Sequence, residues 1–304
     1  MNNQYSMTIE YSPAYELVLS LYAYIHQRDR KNIRLGNDWR KETVRKLPAG
    51  FAAELEDERW EVMHRIVLLI AQSTEKDTVE KFLAWLERLP PGEIYERLAP
   101  WVSSIPLNLG EVRDRSLYLL SKWHEHYFSR LDADILRRLE RDAERLAERA
   151  QTVSPIDLVE EATHGLRIEP TENLRQVILA PQYHCSPATI LDFYRGIATC
   201  LYPSSQEGGG EDDSISRLLP VTQCLADEKR LQILRCLAQK PQTLSDIQKQ
   251  VKLAKSTVHH HLTALRRAGM VRSHYSDSTT AAWYSLREPF VDRLNTELQQ
   301  FLWS

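Results

Sequence analysis

The chain has 304 residues, 42% hydrophobic and 27% charged, with 10 Gly and 14 Pro. That length predicts two domains with a core each, and the composition excludes collagenous, fully disordered and disulfide-scaffold proteins. The net charge of −3 hides a division: positions 215–304 hold 13 Lys and Arg against 7 Asp and Glu, a net of +6, which leaves −9 for the first 214 residues.

The opening stretch, MNNQYSMTIEYSP, lacks the basic and apolar regions of a signal peptide. No later apolar run approaches the roughly 18 residues that span a bilayer. A cytoplasmic protein with no membrane partner is therefore expected. Helical spacing then dominates to about His164. Leu17, Leu21, Tyr24 and Ile25 mark one helix, Met63, Ile66, Val67 and Ile70 another, and Phe82, Trp85, Leu86 and Leu89 a third. From Glu111 to Ala150 a longer stripe runs through Leu117, Leu120, Leu131, Ile135, Leu139 and Leu146. Its opposite face mixes charges, with Arg138 and Asp142 at i,i+4 and Arg145 and Glu148 at i,i+3, which predicts exposed ion pairs. His124 and His126 point to opposite sides of their helix and make no metal site. After His164 come runs of strand character, Leu166–Glu169, Gln176–Ala180 and Ile197–Tyr202, expected to form a small sheet on the helices. Ser204 to Ser214, SSQEGGGEDDS, has the composition of a flexible acidic linker. The fold expected is mainly α: an N-terminal helical domain with a small β-sheet over residues 1–203, a linker over 204–214, and an α+β winged helix-turn-helix over 215–304. Cys185, Cys200, Cys224 and Cys236 form no C-x-x-C pair and read as reduced thiols.

The basic third carries the sharpest pattern. In the segment from Thr243 to Val271, Thr243 and Asp246 open a helix whose apolar face is Leu244, Ile247 and Val251; a short turn follows, and Ser256 opens a second helix. At 100° per residue, Val258, Leu262 and Leu265 of that second helix fall on one side and face the core. Ser256, His260, Thr263 and Arg267 then lie opposite, flanked by His259 and Arg266 on one side and Thr257 on the other. These hydrogen-bonding and cationic groups suit a helix laid in the major groove. Three consecutive histidines diverge by a third of a turn each and cannot converge on one metal ion, and His261 is expected to be partly buried. Gly269 suits a left-handed helix end. The runs MVRSHY and AAWYSL around SDSTT then form a hairpin whose Arg272 and His274 are expected beside phosphates. The last stretch puts Val291, Leu294, Leu298 and Phe301 or Leu302 on one stripe, which folds back on its own core or pairs with a second subunit.

The residues ADEKRLQILRCL, STVHHHLTALRRAGMV and AAWYSL resemble ArsR-type winged-helix transcriptional regulators. The resemblance implies a cytoplasmic prokaryotic repressor or activator, read here as a repressor, that binds a pseudo-palindromic double-stranded DNA operator as a homodimer. It places the DNA-contacting turn on Lys255, Ser256, Thr257, His259 and His260. Arg230 matches the family's arginine near the first helix, either closing the helix start at Asp227 or meeting a phosphate. The metal-sensing positions are not met, since TLSDIQKQV holds no cysteine and the last helix offers Asp292 without histidine; neither a metal nor another cofactor is expected. Five of seven tryptophans, Trp39, Trp60, Trp85, Trp101 and Trp123, lie in the N-terminal part, where they line a cavity for a small organic effector or simply fill a core. The alternative is constitutive DNA binding with the N-terminal part as a protein-interaction module. No catalytic motif of the P-loop, G-x-S-x-G or H-E-x-x-H type occurs.

Overall fold

The computed structural model describes residues 5–26, 33, 35–58, 60, 63–204, 211–288 and 290–303. The fold is mainly helical with two small sheets, and its contacts divide it into two compact units. One holds Met1–Thr152 and Glu172–Ser204, the other Val153–Thr171 and Ser205–Ser304. Among the described residues no helix is long and apolar enough to cross a membrane.

The first unit is organised around α1 (Pro13–Ile25), which is buried along nearly its whole length. A helix that is apolar on all sides needs neighbours on all sides, and α4 (Met63–Gln72), α5 (Val79–Arg88), α7 (Leu109–His126) and a sheet supply them. Ser12 caps α1 by accepting a hydrogen bond from the Ala14 N–H at 3.1 Å, and Pro13 takes the first helical position. The remaining helices are α2 (Gly36–Lys46), α3 (Ala49–Asp57), α6 (Pro91–Leu98) and α8 (Ala133–Arg149). The long stripe after Glu111 is two helices, α7 and α8, broken by a 3-10 turn at Phe128–Arg130. On α8 Asp142 is 4% exposed. It accepts hydrogen bonds from Arg145 Nη2 at 2.6 Å and from the Ser204 hydroxyl, so the expected surface pair with Arg138 gives way to an inward-turned carboxylate.

The sheet of this unit runs β1-β3-β5-β4, with β1 (Ser6–Ile9), β3 (Gln176–Gln182) and β5 (Ile197–Pro203) parallel and β4 (Ile190–Phe193) antiparallel to β5. β3 and β5 are central and covered on both faces, which accounts for their unbroken apolar runs.

The second unit contains α9 (Pro155–Thr163), β2 (Leu166–Ile168), α10 (Glu211–Leu225), α11 (Glu228–Gln239), α12 (Leu244–Val251), α13 (Lys255–Arg267), the hairpin β6 (Val271–Tyr275) and β7 (Trp283–Leu286), and α14 (Phe290–Trp303). Ile233, Leu237, Ile247, Val251, Val258, Leu262, Leu265 and Tyr284 form its core. Two expectations are corrected here. Leu166–Glu169 was placed in the N-terminal sheet, but β2 pairs in parallel with β6, Leu166 opposite Ser273 and Ile168 opposite Tyr275. The segment Val153–Thr171 therefore clusters with the C-terminal unit, because a three-residue strand gains its hydrogen bonds wherever a free edge is available. The second concerns the acidic stretch: 205–210 lie outside the described residues, while Glu211–Ser214 are the first turn of α10. Gly165, at φ +111°, makes the turn into β2, and a Cβ there would stand 2.7 Å from the Val271 carbonyl oxygen.

Candidate nucleic-acid interface

Thr243 opens α12. Its hydroxyl accepts from the Asp246 N–H at 3.2 Å and donates to the Asp246 carboxylate at 2.7 Å; the bond to the carboxylate, backed by one from the Thr243 backbone, holds Asp246 below the usual carboxylate range. Thr243→Ala is expected to lower the stability of the unit by about 1 kcal/mol. Urea denaturation reads it, and a loss under about 0.3 kcal/mol would mean that the cap contributes nothing. The helix ends on Lys252 in the left-handed region, φ +53°, and the chain turns through Leu253 and Ala254 into α13.

On α13 Val258 and Leu265 are fully buried and Leu262 nearly so. That fixes the rotation of the helix: Lys255, Ser256, Thr257, His259 and His260 are exposed and Thr263 half-buried. Arg267 lies half-buried at the far end. Burial, and after it the Arg266 charge, lowers its pKa, and its Nε has no hydrogen-bond partner. Arg266 turns aside and donates to the Thr163 carbonyl at 3.0 Å. His261 is half-buried, with burial depressing its pKa while Asp227, 4.0 Å away, opposes. The helix ends as the glycine requires: Gly269 adopts φ +72°, and the Met270 N–H returns to the Leu265 carbonyl.

Arg230 resolves toward the structural alternative. Its backbone N–H closes the helix start on Asp227 at 3.0 Å, and its guanidinium donates to His261 Nδ1, the Gln223 carbonyl and Cys224 Sγ.

The hairpin departs from expectation. Arg272 donates from Nε to both carboxylate oxygens of Glu160 at 2.9 Å and from Nη1 to the Leu286 carbonyl. His274 is buried, 8% exposed, donating from Nδ1 to Glu169 at 2.6 Å and hydrogen-bonded through Nε2 to the Ser285 hydroxyl at 2.7 Å, with its ring stacked on Trp283. Both were expected on phosphates. Both are instead committed to carboxylates carried by α9 and the end of β2, which no reading of the hairpin alone contains. The tip between β6 and β7, Ser276–Ala282, carries no Lys or Arg. Exposed cations outside the expected set are Lys249, in the last turn of α12, and Lys252, at the end of that helix. Their signal was the placement of cations on the helix that precedes the recognition helix.

The arrangement is thus a helix presenting hydroxyls, imidazoles and an amine on one open face, held by a small apolar core, with a hairpin beside it. It offers hydrogen-bond donors and positive charge at the thickness of a major groove. Residues 227–273 match the family described as "Bacterial regulatory protein, arsR family", a stretch running from the α11 cap through α12 and α13 into β6. Comparisons of the chain with curated proteins and with solved structures each return no match. Over that stretch the C-terminal part of the chain carries an arsR-family helix-turn-helix, which indicates DNA-binding transcription regulation, and a long N-terminal extension precedes it.

Proposed function

We propose that the protein is a cytoplasmic repressor that binds a pseudo-palindromic operator as a homodimer and leaves it when the N-terminal unit takes up a small organic effector. The observation that carries the reading is the open face of α13, where Ser256, His259 and His260 are exposed while the apolar residues Val258, Leu262 and Leu265 are turned inward. Base edges are read by such side chains, and Lys255, Lys249 and Lys252 supply charge for the flanking phosphates. The dimer is supported by α10 and α14, which pack on one another yet leave Ile215, Leu219, Val291, Leu298, Phe301, Leu302 and Trp303 exposed. Leu294 and Phe290 fold back on the core, so the last stripe is only half used within one chain. A two-fold partner would cover the rest.

The test is the affinity of the full chain for its own promoter fragment against a random fragment of equal length at two salt concentrations. A preference of about a thousandfold is expected, with both affinities falling steeply as salt rises. Ser256→Ala and His260→Ala should each narrow that preference by about tenfold, whereas Lys255→Ala should weaken both fragments alike. Equal losses on both fragments for all three variants would remove α13 from base reading.

A further inference from the structure

In the N-terminal unit a cleft of about 410 Å³ opens beside α2 and the start of α8, with Trp39, Thr43, Tyr127, Arg130, Ile135 and Tyr183 among its walls. Behind it lies a buried polar chain that runs from α1 to the cleft wall. Glu16, fully buried in the first turn of α1, accepts the Tyr183 N–H and the His184 N–H at 2.9 Å and a hydrogen bond from His184 Nδ1. His184, equally buried, is hydrogen-bonded through Nε2 to the Tyr127 hydroxyl at 2.6 Å, and the same hydroxyl accepts the Trp39 indole N–H at 2.8 Å. A carboxylate and an imidazole taken out of water cost several kcal/mol unless every bond is made, and apolar residues would have filled the space more cheaply. What the chain achieves is to fix two aromatic rings, Trp39 and Tyr127, edge to face at 5.9 Å on the wall of an open cleft. Burial also holds the Tyr127 phenol far above its ordinary pKa, so it stays a neutral hydroxyl.

Glu42, Lys46, Arg130 and Asp132 are the fixed charges among the lining residues. Lys46 is matched by Glu42 at 2.6 Å. Asp132 caps α8 by accepting the Asp134 N–H at 2.9 Å. Arg130 makes no ion pair among the described residues and is exposed on the 3-10 turn that follows Tyr127. The cleft thus presents fixed aromatic faces, aliphatic walls at Leu131 and Ile135, and an exposed guanidinium that makes no ion pair among the described residues.

We propose that this cleft binds a small planar aromatic carboxylate, its ring against Trp39 and Tyr127 and its carboxylate on Arg130. The inference rests on the sensing role proposed for the N-terminal unit and gives that role a ligand class. A guanidinium engages a carboxylate through paired hydrogen bonds that no alcohol reproduces, and the cleft lies within the size range of small-molecule sites.

The experiment is calorimetric titration of the full chain with benzoate, indole-3-acetate and 1-naphthoate, and with 1-naphthalenemethanol as the neutral counterpart. Saturable binding of at least one acid is expected, with 1-naphthoate about tenfold tighter than the alcohol. Arg130→Gln, at an exposed position that leaves the fold intact, should bring the acid down to the alcohol's affinity and leave the alcohol unchanged. Tyr127→Phe should weaken both. Saturable heat from none of the three acids overturns the proposal, as does identical acid binding by wild type and Arg130→Gln. Repeating the titration with the promoter fragment bound separates the two readings. Acid binding that leaves promoter affinity unchanged upholds the cleft and overturns the sensing role, while acid-driven release upholds both.

Discussion

Glu160→Ala is expected to destabilise the C-terminal unit by about 3 kcal/mol, near the lower end of what breaking a buried ion pair costs. Glu160 is 7% exposed and holds three guanidiniums: Arg167 Nη1 at 2.6 Å, Arg272 Nε at 2.9 Å and Arg287 Nε at 2.9 Å. An isolated surface pair would contribute under about 1 kcal/mol. Here removal takes the shared anion from three half-buried cations: Arg167 keeps Asp157 at 3.0 Å, but Arg272 and Arg287 lose their one ion-pair partner among the described residues, and the repulsion between them adds to the lost bonds. Burial by itself raises the carboxyl's pKa, but the hydrogen bonds from Arg167 and Arg272 outweigh it and bring the value below the usual range. A group whose pKa is depressed by folding stabilises the fold above its unfolded value and loses that contribution as pH falls through the folded one. The wild type should therefore weaken on acidification below about pH 4.5, the ordinary glutamate range, and Glu160→Gln should make that acid branch shallower, with Asp157 and Glu169, also held below their ordinary values, supplying what is left. Hydrogen exchange of peptides covering α9, β2 and β6 reads both effects, and unchanged protection of those peptides in Glu160→Ala would show that the three arginines find other partners.

The second large effect belongs to the N-terminal unit. Glu16→Ala strips a fully buried position of an acceptor used by two backbone N–H groups and an imidazole. Each orphaned buried donor costs about 1 to 3 kcal/mol, so a loss of about 4 kcal/mol is expected, confined to the unit built on α1. Exchange protection of α1 and of β3 should collapse while α11 to α13 keep theirs. A mutant as well protected as the wild type in α1 would mean that water enters and replaces the carboxylate.

What could be read from the residues divides by the range of the interaction responsible. The face of α13 follows from three apolar positions at helical spacing, a local property, and burial of Val258, Leu262 and Leu265 sets the same rotation. The end of that helix at Gly269 was legible for the same reason, since a left-handed position calls for glycine. β3 and β5 showed as apolar runs. β1 did not, because SMTI is too short to declare itself and becomes a strand only through its register with Gln176–Leu179. The commitments of Arg272 and His274 were out of reach altogether: their partners lie 112 and 105 positions upstream, on a helix and strand that gave no sign of belonging to the same unit. The tryptophans split likewise. Trp60, Trp85 and Trp123 are core, while Trp39 stands on the cleft, and helical spacing alone does not distinguish the two.

Because Val153–Thr171 and Ser205–Ser304 make one unit and the chain returns between them to complete the other, the polypeptide passes from unit to unit three times. No single splice separates the two. A break in the acidic stretch would yield a DNA-binding fragment whose outer strand and triple counter-ion stay behind with the discarded half. A break before Val153 would keep both, but would take β3 and β5 away from the helices that cover them. The extension therefore cannot be shed or exchanged like a bead on a string. Gain or loss of the N-terminal unit at a single junction would leave the hairpin's edge strand, β2, on the wrong side of the cut or the first unit's sheet incomplete.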